Sequence, residues 1–335
     1  MTAALSPLAA LLACGKTTSA PHASSASTAL STARATLPKT AASALEIRDP
    51  ATGLWLRATL RDARAVEGRA TGSSLHFANA APGGGDVDFK PTAAGAEDFV
   101  SIAADGPSSL TYDLVFDAGT TSLRLVENVL ELVDAHGSPR LRVSAPFAVD
   151  ANGTKHALVA SVEGCAVDRD PRAPFRRPVV APGANRCILH VTWDAAKMAF
   201  PIVVDPAWTT TDSLMVPRYQ HAAQLLPNGD LLVAGGLSGD ASAVLEGTNT
   251  VEIYSAGVWA TGASMGTRRF LAGDAVLANG DILMSGGLDQ DASGQTVHQT
   301  AEIYSVANGT WSSTGSLLQP RAGHTATPVG DGTVI

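Results

Sequence analysis

The sequence predicts an all-β chain in two parts, an antiparallel sandwich-like domain followed by a strand-rich repeat array. Three observations carry that expectation. Of the 335 residues 45% are hydrophobic but only 16% are charged, against roughly 25% charged in an average soluble domain; 32 glycines and 19 prolines supply turns. Short alternating segments bounded by turn residues recur between residues 45 and 206. The carboxy-terminal third repeats itself every 50 to 52 residues. The net charge is -8 with no block of basic residues, so a surface that tracks nucleic-acid phosphates has nothing to be built from. No apolar run is long enough for a membrane-spanning helix.

The amino terminus reads as an address. A short apolar stretch, Ala3 to Ala13, runs into Leu11-Leu12-Ala13-Cys14, the pattern of an export signal ending in small residues. That order resembles the bacterial lipobox, which implies that residues 1–14 form a lipoprotein signal and that Cys14 carries the lipid. Acyl chains anchor by about 0.8 kcal/mol per buried methylene. The expected location is therefore the cell envelope, lipid-anchored to a membrane or cell surface. The first cation, Lys16, follows the cysteine, so the basic start of such a signal is expected upstream of Met1. Residues 15–44 are almost entirely Ala, Ser, Thr and Pro. Without large apolar side chains they are expected to form a disordered tether.

Residues 45–206 are expected to form the sandwich-like domain. Leu54–Leu60, Ser109–Phe116, Leu123–Val126 and Val129–Val133 fit strands, and Ala118-Gly119, Asp134 to Gly137 and Asp150 to Gly153 fit the turns between them. The ending from Phe200 to Trp208 and the Asp134 hairpin resemble the domain that precedes repeat arrays in large exported bacterial proteins. Cys165 and Cys187 bracket a Pro/Arg-rich stretch. With Cys14 acylated they are an even pair in an oxidising compartment, so a disulfide is expected, worth roughly 3 kcal/mol. A catalytic or metal-binding pair is the lesser alternative, because no CxxC or histidine spacing supports it. Arg172, Arg176 and Arg177 read as a solvated loop before an anion site.

Residues 207–335 contain the repeat. Trp208, Trp259 and Trp311 recur, as do Gly235-Gly236 and Gly286-Gly287, Glu252-Ile253-Tyr254 and Glu302-Ile303-Tyr304, and the turns Asn228-Gly229-Asp230 and Asn279-Gly280-Asp281. Arg218, Arg268 and Arg321 lie between these anchors. The period, the double glycine and the spaced Tyr and Trp resemble the kelch motif of β-propellers. The resemblance implies the first blades of a propeller, with Asn-Gly-Asp opening tight hairpins, the double glycines where strands crowd, and Tyr254, Trp259, Tyr304 and Trp311 filling space between blades. Arg218-x-x-His221 and Arg321-x-x-His324 look like paired groups, but Leu271 stands at the histidine position counted from Arg268, which favours packing. From Trp208 to Ile335 there are about two and a half repeats, whereas propellers close with about 4 to 8 blades, so an incomplete array from a longer chain is expected.

Function is expected in the loops after the double glycines, which carry Asp240 and Glu246 in one copy and Asp289 and Asp291 in the next. Such insertions map to one face and commonly form the binding surface. Asp289-x-Asp291 lacks the other ligands of a calcium loop, so neither a metal nor a cofactor is expected. The leading expectation is a noncatalytic, surface-anchored protein that binds a protein or glycan. A galactose-oxidase-like enzyme is the alternative that the kelch resemblance brings with it; its copper site needs a cysteine crosslinked to tyrosine, and no cysteine lies in the repeats. A structural spacer within a larger exported protein is the third.

Overall fold

The computed structural model describes residues 23–175, 177–238, 245–255, 258–291, 294–329 and 333–335. Cys14, Asp240 and Arg176 lie outside them. The described chain is nearly all β, in several antiparallel sheets. No described helix is long and apolar enough to cross a membrane.

Two large sheets make the amino-terminal domain. The first has six strands in the order Ala35–Thr36, Leu45–Arg48, Trp55–Leu60, Ser109–Phe116, Arg186–Thr192 and Val159–Glu163. The second is built around Gly95–Ile102, which pairs with Val87–Pro91 on one edge and with both Ile202–Asp205 and Ala207–Thr210 on the other. It continues through Pro139–Val143 and Val129–Val133 to Ser122–Val126. Alternation explains the packing: in Ser109–Phe116 every second residue, Leu110, Tyr112, Leu114 and Phe116, is buried. A single core takes these together with Phe77, Val100, Leu132, Leu141 and Val204 of the second sheet. Cys165 and Cys187 are joined by a disulfide, with 5.6 Å between their Cα atoms.

The tether expected over residues 15–44 is corrected for its described part. Ala23–Leu30 is a helix, Ala35–Thr36 pairs with Glu46 and Ile47, and Ala26, Ala35, Leu37 and Ala41 are buried in the first core. Small residues cannot make a core alone, but they fit closely against one that already exists. The Ser27 hydroxyl donates to the Leu37 carbonyl at 2.7 Å, and Ser31 Oγ accepts from Leu37 N–H. The boundary at 206/207 also moves. Ala207–Thr210 belongs to the second sheet, and Trp208, read above as a repeat anchor, sits 1% exposed in the first core. Its indole N–H donates to Asp98 at 2.6 Å and its ring lies edge-on to Tyr112.

The repeats follow as two four-stranded sheets of identical order. Ala222–Leu225, Leu231–Ala234, Val251–Ser255 and Val258–Gly262 form the third sheet; Gly273–Val276, Ile282–Ser285, Ala301–Ser305 and Thr310–Ser313 form the fourth. Each carries a two-stranded hairpin after its double glycine, Leu237–Ser238 with Glu246–Gly247 and Leu288–Asp291 with Gly294–Val297. A second core lies between the two sheets, with Leu226, Leu232, Ile253, Ile282, Met284 and Tyr304 among its members.

Candidate ligand-binding face

Each repeat sheet has a turn end, at Asn228-Gly229-Asp230 or Asn279-Gly280-Asp281, and a double-glycine end, where the hairpin emerges. In both turns the Asn Oδ1 accepts from the Asp N–H, at 3.1 Å, with glycine at φ +85 and +87 between them. This closes a tight hairpin that other residues adopt only with strain. At the opposite end the double glycines also have positive φ. Gly236 N–H donates to Arg269 O and Gly287 N–H to Arg321 O, both at 2.9 Å. A Cβ on Gly235 or Gly286 would strike the same carbonyls. The crowding therefore comes from the next copy's backbone, which each double glycine admits at hydrogen-bonding distance.

A buried ion pair fixes this end in each copy. Arg218 Nη2 lies 3.1 Å from Glu252 Oε1, and its Nη1 donates to the carbonyls of Gly235 and Thr250; Glu252 also accepts from Met215 and Val216 N–H. Arg269 repeats the arrangement with Glu302 at 2.7 Å, Gly286 and Thr300, while Gly266 and Thr267 N–H donate to Glu302. Arg269, not Arg268, is thus the counterpart of Arg218. Arg268 is a neighbouring side chain 3.5 Å from Glu246 on the surface. The 51-residue step that relates the double glycines leads from Arg218 to Arg269, so the signal was present in the sequence.

The corrected register changes the middle copy. Ala272, not Leu271, replaces His221 and His324; Gly287 lies against Ala272 where Gly236 lies against His221. Leu271 instead matches Gln220 and Gly323, and all three have left-handed φ, 51, 55 and 66. Their peptides link the copies, Leu271 N–H to Gln220 O at 3.1 Å and Gly323 N–H to Leu271 O at 2.8 Å. The histidines are packing and hydrogen-bonding residues, with His324 Nε2 3.1 Å from Ser285 Oγ. Burial, and then the nearby arginines, hold His221, His298 and His324 below the usual imidazole value, which keeps them neutral at pH 7.

Glu246, Asp289 and Arg268 meet where the two hairpins stand side by side. Gly247 lies against the Asp289 side chain, leaving no room for a Cβ. Asp289 Oδ1 accepts from Gln290 N–H at 2.8 Å, and Asp291 lies at the end of its strand. Gly294–Val297 is exposed throughout. No three His, Cys, Asp or Glu side chains among the described residues are arranged to hold a metal. The ring pairs are regular, Tyr254 with Trp259 at 4.9 Å and Tyr304 with Trp311 at 5.2 Å. Only the second pair is sealed between sheets, with Trp311 Nε1 donating to Ala263 O at 3.0 Å, and burial pushes the Tyr304 phenol up to about 12.

The amino-terminal domain engages the third sheet along its last strand, at Trp259 and Thr261. Arg124, Glu131 and Arg142 are direct cross-strand partners and fully buried. Glu131 accepts from Arg124 and from Thr261 N–H, both at 2.7 Å, and Arg142 Nη2 donates to Trp259 O while Nη1 lies 3.8 Å from Glu252. Sequence reading missed these residues. Their signal was a charged residue inside each of three consecutive apolar strands, with alternating sign, the third strand carrying Arg140 as well as Arg142. The Pro/Arg-rich loop then reaches the turn ends, enclosing a cleft of about 210 Å³ lined by Arg172, Phe175, Arg177, Asn228 and Tyr304 among others.

No family model matches the chain, and no curated protein matches it. Among solved structures it is similar to a fungal alcohol oxidase of the AA5 family in complex with copper, at a TM-score of 0.30 and 11% identity. That alignment covers 71% of this chain and 66% of the oxidase, just under two thirds of its length. A likeness this slight carries no argument about fold or activity.

Proposed function

We propose that this chain is a lipid-anchored, exported binding protein without catalytic activity, in which a β-sandwich precedes the first blades of a kelch-type propeller. The hairpins at the double-glycine end are its recognition surface, and its ligand is a protein or a glycan. One observation carries this reading: the two hairpins stand side by side at the double-glycine end with the strand Gly294–Val297 exposed along its whole length, whereas the loop of the amino-terminal domain packs beside Asn228, Tyr304 and Gly309 at the other end. The polar groups there, Glu246, Gln295 and Thr296 exposed and Arg268 and Gln290 half-buried, suit hydrogen-bonded recognition. The lipobox-like Leu11 to Cys14 supports the anchor, and the recurring Arg–Glu pairs and double glycines support the blades.

The test is a glycan array and a surface-protein capture panel, probed with the intact chain and with a variant in which both hairpins are cut back to two-residue turns. The expected result is binding by the intact chain that falls at least about tenfold, or 1.4 kcal/mol, in the variant. Undiminished binding by a folded variant would remove the hairpins from the function.

A further inference from the structure

The disulfide-bracketed loop does more than connect two strands. Its root is stitched to the second sheet: Asp168 N–H donates to Leu123 O and Leu125 N–H to Asp168 O, at 2.8 and 2.9 Å. Arg124 then donates to three successive carbonyls of the loop, Asp170, Pro171 and Arg172. Arg177 folds the loop back on itself, with Nη1 2.7 Å from Asp168 Oδ2 and further bonds to the carbonyls of Ala173 and Arg172. The tip of the loop is thereby held as a preformed projection. It passes between two glycine turns: Pro174 O lies 3.2 Å from where a Cβ on Gly137 would be, and Arg172 N and Cα lie 2.7 Å from where one on Gly309 would be. Ala173 and Phe175 pack against the second core, which is shared by the third and fourth sheets.

We propose that this loop is a positioning strap, a wedge that sets the fourth sheet against the amino-terminal domain and so fixes the angle between the first two repeat sheets. The seam at Arg124, Glu131 and Arg142 holds the third sheet only, through Trp259, Thr261 and Glu252. The strap adds a second attachment one repeat further on, at Tyr304 to Gly309. Two attachments to successive sheets define an angle where one would leave a hinge. Because the hairpins emerge from the far ends of these sheets, their spacing depends on that angle. The inference does not depend on what the hairpins bind.

Native-state hydrogen exchange tests it on the whole chain. Phe175→Ala is expected to raise exchange about tenfold in Ala301–Ser305 and Thr310–Ser313, with Gly95–Ile102 and Ser109–Phe116 changed by less than about twofold; Phe175→Leu is expected to restore most of the protection. A rise shared equally by all strands would make Phe175 a contributor to general stability and overturn the proposal, as would no rise at all. The contact is also tested from its other side. Asn tolerates left-handed φ, so Gly309→Asn keeps the turn but places a Cβ against Arg172, whereas Gly229→Asn, at φ +85, meets nothing within 4 Å. The first is expected to reproduce the Phe175→Ala pattern and the second is not; equal effects would contradict the strap.

Discussion

Arg124→Met is expected to destabilise the chain by about 3–5 kcal/mol, the cost of breaking a buried ion pair by removing one partner. Arg124 and Glu131 are wholly inaccessible to water. Without the guanidinium, Glu131 keeps Thr261 N–H and the more distant Arg142 at 3.8 Å but loses its hydrogen-bonded counter-charge, and the carbonyls of Asp170, Pro171, Arg172 and Thr261 lose a donor. The double variant Arg124→Met, Glu131→Leu is expected to recover part of the loss, since an apolar pair of similar volume can replace a buried ion pair at little net cost. Arg268→Ala, at a surface pair, is expected to change stability by less than about 1 kcal/mol. Urea melts of the four proteins check all three statements. A loss at Arg124 no larger than that at Arg268 would show that the seam is solvated.

Stability is expected to fall as pH rises from about 4 to 7. Burial pushes Asp98 up to about 6, against the opposing hydrogen bonds from Trp208 and Tyr112. Burial, and then the charges of Glu97 and Asp98, push Asp205 up to about 7, although Lys155 and Lys90 oppose the shift. Asp205 Oδ1 is buried without a hydrogen-bond partner. A carboxyl whose folded value lies above its unfolded value near 3.9 favours folding when protonated. The stability it contributes is fully present below that unfolded value and is lost as pH climbs through the folded one. Asp150 and Asp170 are held down to about 2, first by the hydrogen bonds of His156 and Arg172, so their contributions are lost only below pH 4 and the two windows separate. Asp205→Asn is expected to raise the pH 8 melting temperature by about 5 °C, from roughly 2 kcal/mol in a domain of this size, and to flatten most of the decline between pH 5 and 8. A wild-type melting temperature that rises over that interval would contradict the assignment.

What could be read from the sequence followed from periodicity. Ser109–Phe116 and Val129–Val133 are strands with the predicted bounds, because alternating or continuous apolar runs between turn residues leave little choice. The repeat showed itself in the double glycines and Asn-Gly-Asp turns, whose backbone demands permit few substitutes. Errors arose where a residue type has several uses. Trp208 falls on the repeat spacing by coincidence and belongs to the preceding core; Arg268 precedes the arginine that forms the ion pair. The Ala/Ser/Thr-rich segment looked too poor in apolar groups to order, yet alanines suffice where a core is already present. The strap and seam were hidden because their meaning lies in contacts between residues more than a hundred positions apart, such as Glu131 with Thr261.

Limited proteolysis with subtilisin, read by mass spectrometry, tests most directly whether the repeats are clamped to the amino-terminal domain while the hairpins stay open. The first cuts are expected in the exposed strand Gly294–Val297 and its hairpin partner, with the strap from Asp168 to Pro178 intact and the fragments still associated. Early cleavage within the strap that frees the amino-terminal domain from the repeats would contradict the clamp.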